Sequence, residues 1–422
     1  MTTKTESEAR SAAKDPPRII ALHAENYRAL RKVQLNELTP LTVLLGPNGS
    51  GKSTILDALS FLSECFRHGI GPVWDSRGGG DEIRTKGQRG PIAFTVAYRE
   101  VPKGPVLTFH LAIDEDQGVP IVVEEWLART RSVAIEKPRQ GLLLDRKTKR
   151  EGYVSSGRGR GQGGERVSFR LVSPDQIAAS TLGQLADNPH LAALCGIIRD
   201  WYVSDLAINE TRGLPEVGIK RRLSRAGHNL PNVVQYLERH HPDRLELIVN
   251  KLRSRVPRLE RLLSESMPDG RPRLRIKDVT FEDPVLLRYA SDGTLKLLAF
   301  LIVLHDPLIS YITGIEEPEH FVHHRLLIEL AEECRAAAAN SQFFLTTHSP
   351  YFVNGFQLHE VRILYRDEYG HTQAVRGDEI RAIREFSDAG ASIGELWSEG
   401  HFGVGDPLVH GGSPAYQWGR GT

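Results

Sequence analysis

The stretch Gly46-Pro47-Asn48-Gly49-Ser50-Gly51-Lys52-Ser53-Thr54 constrains this chain more than any other. It fits G-x-x-x-x-G-K-[ST], with Gly46, Gly51, Lys52 and Ser53 at the fixed positions. The apolar run over 41–45 reads as a short buried strand entering the loop. Residues 54–66 read as the helix leaving it, with Ile55, Leu59, Leu62 and Phe66 on one face and Gly69 as its stop. Glycines let the backbone curl so that successive N–H groups and the helix N-terminus face one anionic centre. In that geometry Lys52 reaches the β- and γ-phosphates of a nucleotide and the Ser53 hydroxyl sits on Mg2+. A chance glycine-rich turn would not also carry the strand before it, the helix after it and Lys-Ser-Thr at its exit.

Composition bounds what such a loop is built into. The chain has 422 residues, 40% hydrophobic and 25% charged, as expected of a soluble protein large enough for two lobes. A net charge of +1 argues against a uniformly basic coat for nucleic acid and leaves a local patch open. No apolar run approaches the roughly 20 residues needed to cross a bilayer, and residues 1–17 are polar, so no membrane association and a cytoplasmic location are expected. Residues 1–17 read as disordered. Cys65, Cys195 and Cys334 form no C-x-x-C pair and read as buried thiols, not as a disulfide framework or zinc site.

Along the chain, residues 19–22 read as a first strand, and 92–98, 106–111 and 121–126 as a small antiparallel sheet. From 129 to 170 the composition shifts to arginine and lysine, with Arg146, Lys147, Lys149, Arg150, Arg158, Arg160 and Arg166 around a glycine-rich stretch over 155–164. Two readings of it are evenly matched: a basic loop that tracks a nucleic-acid backbone, and a solvated insertion without ligand. Residues 171–265 read as mostly helical, the last helix covering 244–263, and 273–281 as a strand.

The second informative stretch is Ser291-Asp292-Gly293-Thr294, which opens an almost wholly apolar helix. Taken alone it reads as a Ser/Thr helix cap; beside a phosphate loop it is also a second place where N–H groups and a hydroxyl face a phosphate. A strand over 308–315 then ends in Glu316-Glu317-Pro318-Glu319. At the end of a strand in a phosphate-loop protein, Glu316 would hold the Mg2+ shell and Glu317 would polarise the attacking water. After a helix over 326–339, a strand ends in Thr346-Thr347-His348-Ser349-Pro350, and His348 would contact the γ-phosphate or orient that water.

These four motifs, in this order, resemble the ABC-type ATPase heads of the RecF, SMC and overcoming-lysogenisation-defect group, and most closely small bacterial ATPases of that group, which also resemble this chain at Asn229-Leu230 and Gly394-Glu395-Leu396-Trp397. The resemblance covers about residues 18–403 in outline. It implies an α/β fold: a P-loop NTPase with an ABC-type head, made of a mixed sheet plus an antiparallel β-subdomain, and a mostly helical insertion lobe. The expected division is a head over 18–127 and 271–375, an insertion lobe over 128–270, a C-terminal helical segment over 376–403 and a flexible tail over 404–422. It also implies a homodimer sandwiching two ATP, with Ser291 and Gly293 of one subunit on the γ-phosphate bound by Lys52 of the other.

The chain departs from the family pattern at Ala290 and Asp292, where leucine and glycine are usual, and at Glu316, where aspartate is commoner. A carboxylate aimed at a triphosphate would be repelled, so Asp292 is expected to face away or to pair with a cation. His320, His323 and His324 suggest a structural or cross-dimer role before a metal-binding one. About seventy residues follow Pro350, too few for the nuclease domain that many relatives carry. The expectation is an Mg2+-dependent ATPase used as a dimerisation switch in DNA repair or anti-phage defence. A partner effector or nuclease protein, and DNA at Arg146, Lys147, Lys149 and Arg150, are the partners considered. The alternative is an ATP-dependent clamp for DNA or protein with little turnover; a transporter engine is a weaker third.

Overall fold

The computed structural model describes residues 16–405 except 135, 156–165 and 309. The disorder expected before residue 16, Arg158 and Arg160 of the basic stretch, and the tail from 406 lie outside the described residues.

The centre is a six-stranded sheet in the order Tyr202–Ser204, Ile312–Glu316, Gln342–Thr347, Leu41–Leu45, Val361–Arg366, Thr372–Arg376. The first five strands run parallel and the last is antiparallel to its neighbour. A parallel sheet is covered on both faces, so its strands read as continuous apolar runs. Leu41–Leu45 is buried throughout: Leu44 points into one core, and Leu41, Val43 and Leu45 into the other.

The helix Lys52–His68 covers the Leu44 face, burying Ile55, Leu59, Leu62 and Phe66 as their spacing requires. Behind it lies an eight-stranded antiparallel sheet, ordered Leu30–Leu35, Arg18–Tyr27, Ile92–Arg99, Val106–Asp116, Val119–Thr130, Leu142–Arg146, Glu151–Ser155, Arg166–Arg170. Phe61 meets Phe94 at 5.7 Å between ring centroids, and Phe66 meets Phe109 edge-on at 5.6 Å. Truncating one such core phenylalanine to alanine costs about 3–5 kcal/mol. The opposite face of the central sheet is covered by Asp292–Leu304, buried almost all round, and by Leu327–Ala337.

The middle of the chain is tied closely to the head, and one expectation about it is corrected. The segment 128–270 does not stand apart from the head, because three of its strands extend the antiparallel sheet and Tyr202–Ser204 forms an edge of the central one. Val119–Thr130 would otherwise leave a row of main-chain donors and acceptors unpaired, and the next strands take them. The helix expected over 244–263 ends at Arg253; Pro257 and Arg258, at φ 67°, turn the chain, and Leu259–Ser266 pairs with Pro272–Asp278. The C-terminal segment folds back on the centre through Ile393–Ser398, where a Cβ on Gly394 would lie 1.8 Å from the Pro350 carbonyl. Only glycine permits that approach.

Candidate functional site

The parallel register brings several strand ends to one edge: Leu45 lies opposite Thr347, Glu316 opposite Thr346, and Ser204 opposite Ile315. Open α/β sheets bind ligands outside the carboxyl ends of their strands, and the phosphate loop, Glu316, Glu317, His348 and Asp205 all lie there.

The loop is curled and braced from outside. Gly49 and Gly51 take φ 78° and 105°, conformations costly for other residues. A Cβ on Gly51 would also meet Thr372 Oγ1 at 2.2 Å. Thr372 Oγ1 donates to the Ser50 carbonyl (2.9 Å) and Arg366 Nε to the Gly49 carbonyl (2.6 Å), so the last hairpin of the central sheet sets the loop's shape. Lys52 is buried, and its Nζ donates to the Gly46 (2.8 Å) and Pro47 (3.0 Å) carbonyls. Burial lowers its pKa, opposed by the negative field of Glu317, Glu319 and Glu316. Asn48, Gly49 and Ser53 face solvent, Pro47 and Thr54 are half-buried, and Ser50 is buried.

Ser53 Oγ donates to Glu316 Oε2 at 3.1 Å, which brings together the two groups expected to hold Mg2+. Burial raises the pKa of Glu316, and Asp205 raises it further, while Arg225 approaches its other oxygen at 3.8 Å. Hard oxygen donors gathered where negative charge is unfavourable suit a hard divalent cation. Glu317 is held at φ 40°, a left-handed conformation that costs a non-glycine residue of order 1 kcal/mol. Its main-chain N–H donates to Thr346 Oγ1 (3.1 Å). Its carboxylate meets His320 Nε2 at 2.5 Å and His348 Nδ1 at 3.1 Å. The hydrogen bond from His320, reinforced by His348, holds the Glu317 pKa down at about 2, and the same bond raises that of His320. Glu319 is buried, accepts from Thr347 Oγ1 and has its pKa raised by burial.

Ser291 caps the helix Asp292–Leu304 by accepting from the Thr294 N–H at 3.2 Å. The cation expected beside Asp292 is Arg212, at 2.5 Å, which also donates to the Ala290 carbonyl at 2.9 Å. Gly293 lies against the turn after the acidic motif, where a Cβ would sit 2.7 Å from the Phe321 carbonyl. One turn along the helix, Lys296 is buried, and its Nζ lies 3.4 Å from the Leu206 carbonyl. Burial lowers its pKa, and Glu319, Asp205, Glu317 and Glu316 oppose that.

Among the described residues of the basic stretch, Arg146 is drawn into the interior and Lys147 and Lys149 are paired at the surface. Arg146 is buried with Glu125 at 3.3 Å and donates to the Gln176 (2.7 Å) and Pro174 (2.9 Å) carbonyls. Burial works against both charges, raising the Glu125 pKa and lowering that of Arg146; their attraction and two main-chain N–H groups on Glu125 oppose it. Lys147 pairs with Asp145 (2.5 Å) and Lys149 with Asp116 (2.8 Å). Lys147, Lys149 and Arg150 are exposed, and only Arg146 of the four is buried.

Arg212, Arg225, Asp205, Lys296, Arg366 and Thr372 were not found from sequence. Lys296 carried a signal, being one charge within an apolar helix; the others stand in no pattern linking them to the motifs.

The profile of a family described as "AAA domain, putative AbiEii toxin, Type IV TA system" matches residues 41–354. The DNA replication and repair protein RecF of Myxococcus xanthus is 44% identical over 46 residues, 11% of this chain and 12% of that protein, so the match spans a small part of the relative's own length. Two solved structures share the fold. One is an SMC head bound to the C-terminal winged-helix domain of ScpA (TM-score 0.53, 14% identity, 85% of this chain and 97% of that one). The other is an SMC head with an extended coiled coil, bound to the C-terminal domain of ScpA derived from Pyrococcus furiosus (TM-score 0.51, 14% identity, 88% and 99%).

Proposed function

This chain belongs to that AAA-domain family, an ATPase family related to RecF and SMC heads, and from that premise we propose that it binds and hydrolyses ATP as a nucleotide-driven dimerisation switch. The observation that carries the reading is the convergence of Lys52, the Ser53–Glu316 contact and Glu317 at one sheet edge.

Each residue's part follows from its placement. An arriving triphosphate offers Lys52 oxygens in place of two neutral carbonyls, a stronger charge-assisted set of hydrogen bonds. The loop N–H groups and the helix N-terminus take the rest of that charge. Ser53 and Glu316 would hold Mg2+, whose chemistry there is to neutralise charge on the β- and γ-phosphate oxygens. Glu317 accepts the proton of the attacking water, and His348 is released towards the γ-phosphate as it gives up its bond to Glu317. Tyr289, Phe321 and Tyr351 are 69%, 62% and 60% exposed, an apolar rim near the signature and acidic turns that a second head would cover. ATP shared between two heads stabilises closure by linkage, and hydrolysis removes that stabilisation.

The proposed setting is DNA repair or anti-phage defence with a partner effector. The toxin wording of the family, the repair role of RecF and the partner-bound SMC heads support it. A second reading, an ATP-dependent clamp with little turnover, is favoured by one observation: both oxygens of the Glu317 carboxylate are engaged by imidazoles, which must withdraw before it can accept a proton from water. Oligomeric state in ATP, followed for wild type, Glu317→Gln and Ser291→Arg beside turnover, tests the proposal. The switch predicts turnover by wild type, a trapped dimer for Glu317→Gln and a monomer for Ser291→Arg; three monomers without turnover would overturn it.

A further inference from the structure

Glu317, His320 and His348 bring one carboxylate and two imidazoles to a common point from two sources: the turn after Ile312–Glu316 and the tip after Gln342–Thr347. One donor atom from each lies within 4.8 Å of the others. The two imidazoles stand edge-on, 5.4 Å between centroids, on either side of the carboxylate. All three side chains are partly exposed, so an ion has a path in.

The donor chemistry is selective. Mg2+ favours oxygen ligands and keeps several waters, whereas imidazole nitrogen with one carboxylate suits zinc, cobalt, nickel or ferrous iron. Tetrahedral metal–ligand bonds of about 2.0–2.2 Å place donor atoms about 3.4 Å apart. His320 Nε2 faces Glu317 Oε2 at 2.5 Å and His348 Nδ1 faces Oε1 at 3.1 Å, and with one donor atom from each residue all within 4.8 Å, shifts of up to about 1.4 Å bring the set to that spacing. The outer contacts needed to orient the turn are in place: the Glu317 N–H on Thr346 Oγ1, and the His320 N–H on the Glu317 carbonyl at 3.2 Å. The Ser53–Glu316 pair, with no imidazole, keeps its preference for magnesium.

We propose that Glu317, His320 and His348 form a second cation site, specific for a transition-metal dication of the zinc class and distinct from the magnesium site at Ser53 and Glu316. The ion occupies the carboxylate lone pairs that the attacking water would need, so it arrests turnover and leaves the phosphate loop free to hold nucleotide. The arrest rests on the ATPase reading; the binding does not.

Other ligands are easily separated from these. Cys65, Cys195 and Cys334 are buried, and burial raises all three thiol pKa values. His323 and His324 stack at 4.4 Å beside Tyr351 and form a competing histidine pair nearby.

The test is titration of Co2+ into the full chain, without nucleotide and in excess Mg2+, read by visible absorption. Wild type is expected to bind one equivalent. His320→Ala and His348→Ala should each weaken binding at least about a hundredfold, because losing a ligand costs more than losing an outer partner, worth about 10–100-fold. The double variant His323→Ala/His324→Ala should bind as wild type does. Thermal midpoints establish that each variant is folded, and if His348→Ala is not, the turn variant His320→Ala decides. Unchanged cobalt binding in His320→Ala, or binding lost only in the His323/His324 double variant, would overturn the site. Zn2+ added to a turnover assay then separates the two claims: cobalt binding without any ATP turnover would leave the site standing and remove the ATPase reading.

Discussion

The phosphate loop and the corner where Arg146 meets Glu125 each bury a cation, and the partners given to the two cations differ in kind. Arg146 spends its donors on a buried carboxylate and on carbonyls of neighbouring turns, and Glu125 in turn accepts from two main-chain N–H groups. No capacity is left for a ligand. Lys52 has only two neutral carbonyls of its own loop, with the acidic groups acting at a distance and the loop open to solvent at Asn48, Gly49 and Ser53. A cation closed by a carboxylate serves the fold; one parked on carbonyls is poised for an anion.

The contrast is broken most severely at the closed corner. Arg146→Ala leaves Glu125 uncompensated in the interior, where losing one partner of a buried pair costs about 3–5 kcal/mol. Denaturant unfolding should show that loss, while the fraction still folded binds ATP as wild type does. Lys52→Ala should do the reverse. Its unfolding midpoint stays near wild type, and ATP affinity falls about ten- to a hundredfold, the worth of a charged hydrogen bond at about 1.5–3 kcal/mol, read by calorimetric titration. Gly51→Ala sharpens the comparison from the side of loop shape: the positive φ and the Thr372 contact should cost about 1–3 kcal/mol and weaken nucleotide binding together. Lys149→Ala, at a surface pair with Asp116, should change stability by no more than about 0.5 kcal/mol. A large loss of DNA affinity in Lys149→Ala would reopen the phosphate-binding reading of that stretch.

The same contrast explains what the sequence made legible. The phosphate loop, its strand and its helix are local: glycine spacing and apolar periodicity specify them, and the helix extends only to Lys52 and His68 beyond the expected 54–66. The acidic strand end and the Thr-Thr-His-Ser-Pro tip were readable because residue order within one strand places them at a sheet edge. Arg146 was misread because its partner is twenty-one positions upstream, on a neighbouring strand, and an arginine-rich composition is the same whether one of its members is buried or not. Arg212 beside Asp292, and Thr372 against Gly51, are pairings between distant segments that only the fold creates. Strand pairing continues past residue 127, across a change in composition that says nothing about which strands pair.

In the proposed shared site Lys52 of one subunit works with Ser291 of another, and mixing two defective variants tests this most directly. Lys52→Ala and Ser291→Asp would each be purified alone and then combined in equal amounts with ATP and Mg2+. Alone, each should be silent, since both of its sites are damaged. Combined, random pairing gives mixed dimers with one intact site, and turnover should return to about a quarter of the wild-type rate. Ser291→Asp turning over alone as wild type does, or a mixture that dimerises and stays silent, would contradict the shared site.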